Sequence, residues 1–188
     1  QLYKPVKKIK LSDLFPNKPP KGKTHAIITV EDIGDILSFC SEDYALRKNS
    51  SIYKPFEKLL KEEGLEFERI ITIIDGNKFY VDYIIKSKVK SSVIKDLLLK
   101  LSIWNSYDGT VKTQIKFGYH KMLCGNPLSR PVDCKIHTSS KHSADEEEFS
   151  KETVPFFIHL FKNFVHQTNS DMKIFESLAK QKSDIKTL

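Results

Sequence analysis

Phe67-Glu68-Arg69-Ile70-Ile71-Thr72-Ile73-Ile74-Asp75-Gly76-Asn77-Lys78-Phe79-Tyr80-Val81-Asp82-Tyr83-Ile84-Ile85 holds two β-prone runs either side of a compact turn signal. Branched and aromatic side chains suit a pleated surface, and Asp-Gly supplies the backbone freedom that a tight reversal needs. The stretch predicts an antiparallel hairpin. Downstream, Val111, Thr113, Ile115 and Phe117 alternate with Lys112, Gln114 and Lys116. That period of two predicts a half-buried strand with a basic outer face. Leu97 to Trp104 fits a helix or a strand, and a strand leading into Asn105-Ser106-Tyr107-Asp108-Gly109 is preferred. Cys134-Lys135-Ile136-His137-Thr138 reads as a further short strand.

Helical signals flank this β region. Ile52, Phe56, Leu59 and Leu60 form one stripe between a capping Ser51 and a terminating Gly64, which predicts a helix to about Glu63. Ile33, Ile36, Leu37 and Phe39 sit at helical spacing after Asp32, so a short helix is expected over Asp32 to Phe39. Phe156, Phe157, Leu160, Phe161, Phe164 and Val165, followed by Met172, Ile174, Phe175 and Leu178, predict one long or two broken helices. Ser139 to Ser150 is polar, with Asp145-Glu146-Glu147-Glu148 at its centre, and reads as a loop. The fold class is α+β: a mainly antiparallel sheet, a packed helix and a helical C-terminal segment. Three regions follow, namely a basic Pro/Lys-rich extended arm over 1–23, an α+β core over 24–142, and an acidic loop with a helical tail over 143–188. Pro5, Pro16, Pro19 and Pro20 are expected to keep the arm out of helix and ladder. There is no internal repeat.

The 188 residues, 39% of them hydrophobic, suffice for one domain with a sizeable core. No apolar run approaches the roughly 20 residues that cross a bilayer, and no signal peptide stands at the start. A soluble, intracellular protein is expected, and the initial Gln1 suggests a processed chain or a fragment of a longer one. Cys40, Cys124 and Cys134 are odd in number and irregular in spacing, so they read as reduced thiols rather than a disulfide framework.

The net charge of +7 is unevenly spread. Seven lysines against Asp13 make residues 1–23 +6, whereas six basic and eleven acidic groups make 24–77 −5. Residues 78–100 carry +4 and 112–141 carry +5, so two basic blocks flank the Trp104 to Thr110 motif. One reading is a cationic face for nucleic acid; the other is a lysine-rich surface that maintains solubility. Only Arg47, Arg69 and Arg130 are arginines, so binding would be sequence-tolerant. Lys78, Lys86, Lys88, Lys90, Lys112, Lys116, Lys121 and Lys135 are candidates to track phosphates, and Tyr107 and Tyr119, with Tyr80 and Tyr83, to stack on bases. The competing reading of each tyrosine is a core residue.

Chemistry has weaker candidates. Cys124, Cys134, His137 and His142 contain zinc-compatible donors, yet Cys124 and Cys134 lack the paired knuckle of a structural zinc site. A Cys124-His137-Asp108 nucleophile set has no supporting spacing. The simpler reading makes Asp108-Gly109 a tight turn, Cys124 a buried thiol, and Asn105, Asn126 and His137 structural members of the motif. No catalytic residue, metal or cofactor is assigned.

The segments Asp43-Tyr44-Ala45-Leu46-Arg47-Lys48-Asn49, Leu59-Leu60-Lys61-Glu62-Glu63-Gly64, Asn105-Ser106-Tyr107-Asp108-Gly109-Thr110, Leu123-Cys124-Gly125-Asn126 and Lys135-Ile136-His137-Thr138, in that order, resemble the phage/plasmid-like protein family, catalogued as domain of unknown function 932. The resemblance covers about Ala26 to His142 and the helical tail. The chain departs from the family pattern at Tyr107, at His120-Lys121 and at Pro127. Such a setting implies a non-enzymatic protein of phage or plasmid DNA metabolism, binding or annealing single-stranded DNA in recombination or replication. An annealing protein would work as a homo-oligomeric ring or filament. The location implied is the cytoplasm of a bacterial host, or the virion. The alternatives are a protein-interaction module, either a virion component or an inhibitor of host defence, and less favourably a cysteine- or metal-dependent enzyme.

Overall fold

The computed structural model describes residues 5–17, 21–30, 34–86, 97–123, 126–138 and 149–185. Strands β1 (Val6–Lys10), β2 (His25–Thr29) and β3 (Ile36–Cys40) form a three-stranded antiparallel sheet in that order, with helix α1 (Leu11–Leu14) after β1. Helix α2 (Asn49–Glu62) leads to β4 (Phe67–Ile74), β5 (Lys78–Ile85), β6 (Leu97–Ser106), β7 (Gln114–Leu123) and β8 (Asn126–Thr138). These five strands pair consecutively as an antiparallel meander. A π-helical turn, Phe149–Thr153, then opens helix α3 (Val154–Ile185). The architecture is the expected α+β class, with two sheets rather than one.

The hairpin at Asp75-Gly76-Asn77 sets the register of the larger sheet. Asp75 and Gly76 both take left-handed backbone conformations, at φ 51° and 70°, and Ile74 pairs with Lys78 across the turn. From there alternation places Phe79, Val81, Tyr83 and Ile85 on one side, in line with Leu99, Leu101 and Ile103 of β6 and Ile115, Phe117 and Tyr119 of β7. Helices α2 and α3 cover this side. Ile52, Tyr53, Phe56, Leu59 and Leu60 enter from α2, and Val154, Phe157, Phe161 and Phe164 from α3. Phe161 lies edge-on to Phe56 and Phe117, with ring centroids 6.2 and 5.4 Å away, a favoured aromatic arrangement. Polar contacts then fix the helices: Lys162 meets Glu63 at 3.0 Å, and the Tyr119 hydroxyl donates to Asp171 at 2.7 Å.

Several expectations are corrected. Ile36 to Phe39 belongs to strand β3, not to a helix, while residues 32 and 33 of the expected helix lie outside the described residues. The apolar spacing fits either conformation, but Ile36 and Phe39 are solvent-exposed and the segment is fixed by pairing with β2. Gly34 permits the reversal, since a Cβ there would stand 1.9 Å from the Thr29 carbonyl oxygen. The N-terminal arm contains β1 and α1. Pro5 precedes the strand and Pro16 follows the helix, so these prolines punctuate the elements rather than preventing them, and Leu11 anchors the segment with 1% exposure. Strand β7 begins at Gln114, which leaves Val111 to Thr113 in the preceding loop, and β8 extends well upstream of the expected Cys134. The tail is one helix. Helix α2 starts at Asn49, and Ser51 donates its hydroxyl back to the Lys48 carbonyl rather than capping a backbone N–H.

Truncating Phe161 removes a fully buried ring from between α2 and the sheet. Phe161→Ala is expected to lower unfolding free energy by about 3–5 kcal/mol, measured by urea denaturation. A loss below about 1 kcal/mol would show that α3 does not share the sheet's core.

Candidate functional site

The Asp43 to Asn49 segment meets the end of β6 and the β6–β7 loop in the interior. Asn105, at the end of β6, is fully buried, and its amide donates to the Arg47 carbonyl at 3.0 Å and the Asn49 side-chain oxygen at 2.8 Å. The Thr113 hydroxyl donates to Asn105 Oδ1 at 2.8 Å and accepts from the fully buried Arg47 guanidinium at 3.4 Å. Tyr44 donates to the Ser106 carbonyl at 3.1 Å, and the Asn49 N–H donates to the Tyr107 hydroxyl at 3.2 Å. Ser38 of β3 donates to the Tyr107 carbonyl at 2.6 Å. Together these bonds join the smaller sheet, the start of α2 and the larger sheet. Burial pushes the Tyr44 hydroxyl pKa well above its ordinary range, with Cys40 and Asp108 nearby adding to the rise. Tyr44 therefore remains a neutral donor.

Asp108-Gly109 forms the tight turn. The Asp108 carboxylate accepts from the Thr110 N–H at 2.9 Å and hydroxyl at 2.7 Å, and Gly109 has φ 73°. Burial alone would raise the Asp108 pKa. The Thr110 and Ser106 hydrogen bonds and the charge of Lys78, 3.9 Å away, outweigh burial and hold it below 3.8. Cys40 is buried, and desolvation raises its thiol pKa despite Lys8 and Lys23.

On the side of the larger sheet away from the helices, Thr72, Lys78, Tyr80, Asp82, Ile84, Lys100, Ser102, Trp104, Gln114, Lys116 and His120 occupy one face by register. At its centre Tyr80 and Trp104 meet edge to face at 5.5 Å, and Lys116 Nζ stands 3.5 Å from the Trp104 ring centroid. Lys100 pairs with Asp82 at 2.9 Å, and Ser102 donates to the other Asp82 oxygen. His120 is held below its ordinary pKa of 6.5 by burial and Lys100, against an opposing pull from Asp82. It is mostly neutral at pH 7.

The candidate lysines are only partly gathered here. Lys78 and Lys116 share the face, whereas Lys112 is exposed in the β6–β7 loop and Lys86 follows β5, 3.7 Å from Glu66. Lys88 and Lys90 lie outside the described residues. Lys121 and Lys135 lie on β7 and β8, in register with Arg130 and Phe117. Tyr107 and Tyr119 are buried, at 6% and 1% exposure, so neither ring is open to a strand crossing the sheet face; Tyr83 is also core. Neither Trp104 nor Lys100 is among the residues expected from sequence on this face. Period-two counting along β5 and β6 places both on the side of the sheet that carries Tyr80. Cys124 and His142 lie outside the described residues, Cys134 and His137 pair with Gly118 and Ile115, and Asn126 pairs with Leu123. Among the described residues no group of His, Cys, Asp or Glu is arranged to hold a metal, and no helix is long and apolar enough to cross a membrane.

Asp108→Asn is expected to lower stability at neutral pH by about 1–2 kcal/mol. Because the folded-state pKa is depressed, this contribution is present above 3.8 and is lost as pH falls through the folded value. Urea denaturation across that range should show the two proteins converging in acid; a difference that persists undiminished there would contradict it.

Neither the comparison with curated proteins nor that with solved structures gives a match. A family model does match, over residues 36–182, and this span includes α2, the larger sheet, the Trp104 to Thr110 motif and most of α3. The chain belongs to the family described as Domain of unknown function (DUF932).

Proposed function

We propose that the chain is a non-enzymatic nucleic-acid-binding protein that takes single-stranded DNA across the open face of its five-stranded sheet. The observation that carries this reading is the Tyr80, Trp104 and Lys116 group on a face that none of the described helices covers. Bases stack on aromatic rings for about 1–3 kcal/mol each, whatever their sequence. A lysine over a half-buried ring such as Trp104 contributes about 0.5–2 kcal/mol. A base that takes the place of Lys116 on the ring releases its ammonium for the adjoining phosphate. Pairing of Lys78 with Asp108 and Lys100 with Asp82 leaves few uncompensated cations on this face. Stacking carries the affinity, with a modest salt dependence set by the few phosphates neutralised. A role in phage or plasmid recombination or replication, in a bacterial cytoplasm, accords with the family resemblance.

A second reading, a protein-interaction module of a virion or a host-defence inhibitor, draws on the exposed Ile36, Phe39, Ile73 and Ile74 along β3 and β4. Exposed apolar side chains on these edge strands supply contact area for a protein partner.

Trp104 is the chain's one tryptophan, so its fluorescence reports this face alone. Titration with oligothymidylate is expected to quench it saturably. By anisotropy of a labelled strand, Trp104→Ala should bind about tenfold more weakly or worse, whereas Trp104→Phe retains most of the affinity. Unquenched fluorescence together with unchanged affinity in Trp104→Ala would eliminate the sheet face as the binding surface.

A further inference from the structure

A cavity of about 620 Å³ lies where the smaller sheet, the start of α2 and the β4–β5 hairpin come together. Its volume is within the range of small-molecule sites, roughly 300–1,000 Å³. Val6, Leu37, Phe79 and Tyr107 are apolar lining residues and Lys48, Lys54 and Lys78 basic ones, with Asp35 the one acidic residue among the described residues that line it.

Lys48 immediately precedes the first turn of α2, where Asn49 and Ser50 also line the cavity. This helix has no acidic residue in its first turn and no side-chain cap. The positive end of its dipole is therefore left without a counter-charge from its own first turn. An independent sign comes from Thr29, which lines the same cavity, is 5% exposed, and whose hydroxyl has no hydrogen-bond partner among the described residues. Leaving a buried hydroxyl unpaired is unfavourable, and a small local opening would bring it to a ligand oxygen in the cavity.

We infer that this cavity binds a small phosphate monoester with an aromatic or apolar body, of the nucleoside monophosphate class. The phosphate lies at the start of α2 among Lys48, Lys54 and Lys78, as anions do at helix N-termini, and the body lies against Leu37, Phe79 and Tyr107. A free nucleotide and the 5′-phosphorylated end of a DNA strand present the same chemistry. The inference does not rest on the sheet face, because Trp104 is not part of this lining.

The test is calorimetric titration of the full chain with adenosine 5′-monophosphate, adenosine and inorganic phosphate. The monophosphate should bind at least tenfold more tightly than adenosine, and a Lys48→Glu/Lys54→Glu variant should lose that margin. Both lysines are exposed, and unchanged circular dichroism checks that the variant folds. Thr29→Val should weaken the monophosphate several-fold while leaving the unliganded melting temperature equal or higher, which a purely structural hydroxyl would not do. Trp104→Ala should leave all of this unchanged. A gain in affinity for oligothymidylate on 5′-phosphorylation, lost in the lysine variant, assigns the phosphate to a strand end. Binding of the mononucleotide without such a gain assigns it to a free nucleotide. Absence of monophosphate binding, or equal binding of adenosine, overturns the inference.

Discussion

The hydrogen-bonded relay through Asn105 is the constraint on which the rest of the molecule depends. A buried amide has two donors and an acceptor to satisfy, and here they are taken up by Arg47, Asn49 and Thr113. Those partners come from the approach to α2, its first residue and the β6–β7 loop. The relay therefore fixes where the helix begins relative to the sheet. Hydrophobic burial supplies most of the driving force for covering the sheet, but it is nondirectional and tolerates sliding. A fully paired polar group does not, since displacement strands several desolvated donors and acceptors together.

This constraint separates the two surfaces considered for function. The sheet face is broad, aromatic at its centre and partly self-neutralised, which suits an extended flexible strand more than a compact anion. The cavity is small, and three lysines line it. Lys78 takes part in both, since it begins β5 on the open face and lines the cavity. Its contact with Asp108 ties it in turn to the motif turn. One side chain thus relates a structural turn to two places where a ligand could be held.

Much of the larger sheet was legible because its signals are local. Asp75-Gly76 needs its left-handed backbone, and the strands on either side alternate or are densely branched, so the hairpin could be read from composition and period. Helix α2 was equally clear, with its stripe and its terminating Gly64. The smaller sheet was not, because Ile36, Leu37 and Phe39 satisfy helical spacing as well as a strand, and pairing with β2 decides between them. Pro5 and Pro16 concealed β1 and α1 by standing just outside their ends. The site was legible only in part. Lys116 was marked by its alternation, but Trp104 was read as the entrance to a motif, and the meeting of Arg47 with Asn105 depends on contacts across 58 residues of chain.

Helix α3 is longer than the sheet it covers. Its buried positions include Val154, Phe157, Phe161, Phe164 and Thr168, and its last described tie is the bond from Tyr119 to Asp171; beyond that, Ile174 and Leu178 are more than half exposed. At 1.5 Å per residue, the fourteen residues that follow Asp171, up to Ile185, extend the helix by about 20 Å. Fourteen residues are near the lower limit at which an isolated helix persists in water. A segment of that length relies on the packed turns before it to seed its coil.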